Sequence, residues 1–111
     1  MKAHITGDRQ RLCIALEGEL DHHGAQQMTR RIVQEIDARL PQQVQLNLQG
    51  VSFMDSSGIA VILRTQRHLQ RSGGRLSVSA IPPQARKVLD TAGIGRFVTL
   101  EERGKNDAKE K

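Results

Sequence analysis

The sequence predicts an α/β fold: a mixed, mostly parallel β-sheet with an N-terminal antiparallel hairpin, packed against α-helices. Three observations carry this expectation. The hydrophobic residues switch repeatedly between a period of two and a period near 3.6. The switches are punctuated by Pro41, Gly73-Gly74, Pro82-Pro83 and Gly93, which interrupt one element before the next begins. The chain of 111 residues with 37% hydrophobic content is long enough to bury one core, so one domain is expected. With two phenylalanines and no Trp or Tyr, that core must be aliphatic.

Leu12, Ile14 and Leu16 alternate as a strand, and an extended segment from His4 to Thr6 can pair with it across a Gly7-Asp8 turn. From Ala25 the spacing changes. Ala25, Met28, Ile32, Ile36 and Leu40 form one helical stripe, ended by Pro41. Val44, Leu46 and Leu48 alternate with Gln45, Asn47 and Gln49, which predicts a second strand, and another helix follows from about Ser57. Ser72-Gly73-Gly74 closes it. Leu76, Val78 and Ala80 resume the alternation, and Pro82-Pro83 open a helix carrying Ala85, Val88, Leu89 and Ala92. A last strand is expected over Phe97 to Leu100. Strands alternating with helices need crossover connections, hence a mostly parallel sheet.

The formal net charge is +5, and only part of it belongs to the folded body. From Arg103 onward four basic residues face two acidic ones, with Ala108 the sole apolar residue. Such a segment buries too little to offset its ordering entropy, so residues 1–102 are read as the domain and 103–111 as a charged, disordered tail. Cys13 is the single cysteine and excludes an intrachain disulfide. Between Leu12 and Ile14 it reads as a buried thiol, which fits a reducing, cytoplasmic setting. No apolar run approaches the length that spans a bilayer, and no signal-peptide pattern is present. No membrane association is expected.

The most informative stretch is Phe53-Met54-Asp55-Ser56-Ser57-Gly58-Ile59, at a strand-to-helix junction. Helix capping alone accounts for its residue types: Asp55 or Ser56 can accept from free backbone N–H groups, and Met54 with Ile59 have the spacing of a hydrophobic staple. At about 100° per residue, Ile59, Ile62, Leu63, Leu69 and Gln70 gather on one side around Gln66. Ser57 falls opposite, among Ala60, Val61, Arg64, His68 and Arg71. This wheel predicts an exposed Ser57 hydroxyl, with Ala60, Val61 and Arg64 as a partner-binding surface.

With Gly18-Glu19-Leu20-Asp21-His22-His23 before the first long helix and Ala92-Gly93-Ile94 after the third, the run from Val51 to Ala80 resembles the signature of the sulfate transporter and anti-sigma factor antagonist (STAS) domain. Within that family it is most similar to the anti-sigma F factor antagonists of spore-forming bacteria, over roughly residues 4 to 101. The resemblance implies that Ser57, the serine before the glycine, accepts phosphate, with Asp21, Asp55, Ser56 and Gly58 supporting the site. It also implies partner switching. The unphosphorylated antagonist binds an anti-sigma factor that is a serine kinase, releasing a sigma factor; the kinase phosphorylates the antagonist, and a phosphoserine phosphatase resets it. A STAS subunit of a general stress-response complex would use the same module. Two departures stand out: Gly24 occupies a position where the family usually places a Ser or Thr cap, and a charged tail replaces a further C-terminal helix.

Other chemistries fit less well. His22-His23 with Asp21 offers metal-ligand types, but adjacent residues rarely converge on one ion, so no metal is expected. Ser57 lacks the glycine-flanked nucleophile elbow and a placed histidine, so the chain is read as a regulator and not an enzyme. No lysine-containing phosphate loop is present, so no nucleotide cofactor is expected. Arg64, Arg67, Arg71 and Arg75 would form a basic ridge for nucleic acid, the runner-up reading. The shortage of aromatic residues counts against base stacking, and charged exposed helix faces are routine.

Overall fold

In a computed structural model describing residues 1–101, the expected alternation becomes β1 (Lys2–Gly7), β2 (Arg11–Leu20), α1 (His22–Arg39), β3 (Gln43–Met54), α2 (Ser56–Gln70), β4 (Arg75–Ser79), α3 (Pro83–Thr91) and β5 (Thr99–Leu100). A short 3-10 turn, Ile94–Arg96, joins α3 to β5. The strands lie in sequence order in one sheet; β1 is antiparallel to β2, and every other pairing is parallel. Because each crossover steps the same way across the sheet, right-handed connections lay all three helices on one face. The expectation of a disordered tail over 103–111 lies outside the described residues.

That face is dry. Leu12, Ile14, Leu16, Val44, Leu46, Leu48, Leu76 and Val78 are buried under the helices, while the alternate Cys13, Gln45 and Ser77 are half-buried on the opposite face. Cys13 is therefore not the fully buried thiol that its neighbours suggested. Strand alternation gives the helix side to Leu12 and Ile14, and the thiol turns toward Gln45 Oε1, 3.7 Å away.

The hairpin turn is tied by Asp8, whose Oδ1 accepts the N–H groups of Gln10 (2.9 Å) and Arg11 (3.0 Å). These bonds favour the ionised form and hold the Asp8 carboxyl below its ordinary value. Gly7 has φ of +109°, and a Cβ there would stand 2.2 Å from the Arg11 carbonyl oxygen, so only glycine fits.

Beyond Leu48, β3 breaks its period of two. Its register with β2 shifts twice, each time giving β3 an extra residue, and burial then falls at Leu48, Val51 and Met54. The bulges carry the strand on to Met54, farther than its alternation indicates. The helix ends also differ from expectation. Leu40 caps α1 in the left-handed conformation and is 64% exposed, because Pro41 excludes a helical continuation. Ala80 takes φ of 52° in a bend after β4, so it is not a strand residue. The chain after Gly93 winds first into the 3-10 turn, with Ile94 and Val98 buried and Phe97 exposed against Arg96, which leaves only Thr99–Leu100 for β5.

Candidate functional site

Parallel strands deliver their carboxyl ends, and the helix N-termini that follow, to one edge of the sheet. Two such starts stand side by side. Leu20 is in register with Met54, so Asp21 and Asp55, the next residues, occupy neighbouring positions, and the Asp55 N–H points to the Leu20 carbonyl at 3.5 Å. Each aspartate is a helix N-cap. Asp21 Oδ1 accepts the Gly24 N–H at 2.9 Å, and Asp55 Oδ1 accepts the Ser57 N–H at 2.8 Å.

The two starts share a pattern, Asp21-His22-His23-Gly24 and Asp55-Ser56-Ser57-Gly58, and each glycine permits a close approach. A Cβ on Gly24 would meet the Glu19 carbonyl oxygen at 2.5 Å; one on Gly58 would meet Met54 Cγ at 2.6 Å. Gly24 is therefore not a weak substitute cap, as its position suggested. Asp21 caps α1 three residues earlier, and Gly24 is buried in the first turn because nothing larger fits there. The repeated Asp-x-x-Gly was a readable signal for both roles.

Ser57 is the second residue of α2, half-exposed, and among the described residues its hydroxyl has no hydrogen-bond partner. Ser56 is exposed. The hydroxyl is thus accessible at the positive end of a helix, next to one capping carboxylate and one strand away from another. His22 and His23 are exposed in the first turn of α1, and among the described residues no three His, Cys, Asp or Glu side chains gather as metal ligands do.

The expected face of α2 needs correction. Gly58, Val61, Ile62, Thr65 and Leu69 are its buried residues, an arc rotated about 80° from one centred on Gln66. Val61 is only 1% exposed, so it belongs to the core and cannot contact a partner. Ala60 is half-exposed and Arg64 exposed, as expected. The wheel erred because Gly58 and Thr65 do not look apolar. Gly58 is buried through its lack of a side chain, and the Thr65 hydroxyl satisfies itself by donating to the Val61 carbonyl at 2.7 Å. Gln66 reaches the end of the 3-10 turn, where its Nε2 donates to the Phe97 carbonyl at 3.1 Å. Arg64, Arg67 and Arg71 do line the exposed side of α2, but Arg75 begins β4, so the expected four-arginine ridge is broken.

Two features were missed from sequence. Phe53, two residues before Asp55, is 43% exposed despite its size. Gln84, in the first turn of α3, spans to β3: Met54 N–H donates to its Oε1 (2.9 Å) and its Nε2 donates to the Met54 carbonyl (2.8 Å). A glutamine at a helix start carries no sequence signal for such a role.

Comparison with known proteins identifies the family and the fold. The family model of the STAS domain matches residues 2–105. The anti-sigma F factor antagonist of Lysinibacillus sphaericus is 38% identical over 90 residues, covering 81% of this chain and 77% of that one. Its counterpart in Paenibacillus polymyxa is 32% identical over 89 residues, covering 80% and 76%. Among solved structures, the anti-sigma factor antagonist SpoIIAA in its unphosphorylated form superposes with a TM-score of 0.78 at 28% identity, covering 97% of this chain and 95% of that one. Its phosphorylated form from Bacillus gives 0.69 at 28% identity, covering 99% and 100%.

Proposed function

The chain belongs to the STAS domain family, and from that premise we propose that it is an anti-sigma factor antagonist switched by phosphorylation of Ser57. Unphosphorylated, it binds an anti-sigma factor kinase in the cytoplasm and frees a sigma factor; a phosphatase restores this state. The relatives' names support the antagonist role, and the absence among the described residues of a helix able to cross a membrane is compatible with it. The observation that carries the switch is the Ser57 hydroxyl at the start of α2, without a partner among the described residues and flanked by the carboxylates that cap α1 and α2.

The geometry explains how one modification can spare the fold and break the complex. A phosphoryl group adds roughly −1.5 to −2 charge at neutral pH, and a helix N-terminus stabilises negative charge there. In an interface, that charge must be desolvated beside Asp55 and Asp21. Ala60 and Arg64 extend the surface away from the serine, Arg64 being two turns along the same side of α2.

The test is to incubate the protein with its cognate anti-sigma factor kinase and ATP, map the modified residue by mass spectrometry and measure affinity before and after. Phosphate is expected on Ser57, with affinity reduced about a hundredfold, equivalent to on the order of 3 kcal/mol. Ser57→Ala should bind constitutively. Ser57→Asp should mimic incompletely, having less charge and fewer acceptors. Phosphate on Ser56 alone, or unchanged affinity after full modification of Ser57, refutes the mechanism.

A further inference from the structure

β4 leaves the sheet before β3 does. Their pairing ends at Asn47 and Ser79, yet β3 continues to Met54. Asp55 sends its N–H toward β2, so the alternation of an extended strand turns the Met54 N–H and C=O to the other side, where β4 has already ended. Gln84 fills that gap. Its side-chain amide accepts from the Met54 N–H and donates to the Met54 C=O, supplying both partners that a strand would have given.

Met54 is the residue on which the site rests. Its side chain lies against Gly58, close enough that no Cβ fits between them, and its backbone leads directly into Asp55, whose carboxylate holds the Ser57 N–H at 2.8 Å. A connected path therefore runs from α3 through Met54 to the first turn of α2, without Gln84 touching Ser57.

We propose that Gln84 is the positioning residue of the Ser57 switch: by clamping both backbone groups of Met54, it holds the start of α2 in the geometry that the kinase requires. The inference rests on Ser57 as the phosphate acceptor. Its logic is preorganisation, since a nucleophile displaced by about 1 Å can lose on the order of a hundredfold in rate.

The experiment compares the wild type with Gln84→Met, which keeps the volume and loses both bonds, and with Gln84→Glu, which at neutral pH keeps the acceptor and loses the donor. Amide hydrogen exchange at Met54 and Ser57, read by NMR on the isolated protein, should accelerate roughly tenfold or more in Gln84→Met. In Gln84→Glu, exchange at both amides should return toward the wild type, compared at the same pH, once the pH falls below about 4.3 and a carboxylic acid regains the donor. That recovery would not follow from a general loss of packing. With the cognate kinase and ATP, kcat for Ser57 should fall roughly tenfold in Gln84→Met while KM stays within about twofold, because the docking surface is untouched.

Unchanged exchange at Ser57 in Gln84→Met overturns the clamp, and unchanged kcat despite faster exchange overturns its role in positioning. Should Gln84→Met fail to fold, the acid recovery of Gln84→Glu decides: recovery supports the clamp and its absence refutes it. Wild-type protein phosphorylated at a residue other than Ser57 would instead overturn the functional reading on which the positioning role rests, leaving the exchange result as the measure of the clamp.

Discussion

Gly58 shows how one absent side chain can shape the candidate site. A methyl group there would stand 2.6 Å from Met54 Cγ, and Met54 is wholly buried, so its side chain, the strand end or the helix must shift. The gain in helix propensity from Gly58→Ala, up to about 1 kcal/mol, is smaller than the usual cost of overpacking, about 1–3 kcal/mol. The variant should therefore melt several degrees lower, as differential scanning calorimetry can determine; an unchanged or higher midpoint would mean that Met54 yields freely. Asp8 makes a different prediction. Its folded pKa is held down by the Gln10 and Arg11 N–H groups, so its stabilising contribution is present above the ordinary value of 3.8 and is lost as pH falls through the lower, folded value. An NMR titration of the Asp8 carboxyl should give a midpoint below 3.8, and Asp8→Ala should abolish that component of acid sensitivity.

At the scale of elements, α2 divides sharply between a face that folds and a face free to bind. Val61 lies in the buried arc and Ala60 beside it does not, although they are consecutive and both apolar. Val61→Asp buries an unpaired charge, at a cost of about 3–5 kcal/mol, a large fraction of the 5–15 kcal/mol that typically holds a domain together. Ala60→Glu should change stability by about 0.5 kcal/mol or less and weaken kinase binding instead. Thermal unfolding and titration calorimetry on the two variants should give opposite patterns. A stable Val61→Asp protein would show that the helix is rotated from the position described.

At the scale of the whole molecule, the helices share one face of the sheet, and their N-termini share one edge. Ser57, the proposed phosphate acceptor, lies at that edge, away from the aliphatic core formed by Leu12, Ile14, Leu46, Ile62 and Leu89. The phosphorylated protein should accordingly unfold at a midpoint within a few degrees of the unmodified one, while its affinity for the kinase falls about a hundredfold. A large drop in melting temperature on phosphorylation would make the switch one of unfolding.

Periodicity and breakers by themselves determined the alternating fold, the order of its elements and the strand-to-helix junction that carries Asp55-Ser56-Ser57-Gly58. Buried strands and amphipathic helices impose short-range patterns, and the cap residues of Asp55-Ser56-Ser57-Gly58 act within one turn. What escaped the sequence depended on packing and pairing that residue type does not display. The β3 bulges replaced the period of two with another, so the strand could not be followed past Leu48. The rotation of α2 was fixed by Gly58 against Met54 and by the self-satisfied Thr65, neither of which reads as hydrophobic. The Gln84 bonds to Met54 join residues thirty positions apart and answer a need, two unpaired backbone groups, that arises only because β4 is shorter than β3. Tertiary structure decided these features because each satisfies a packing or hydrogen-bond requirement that arises only once the helices and strands are packed together.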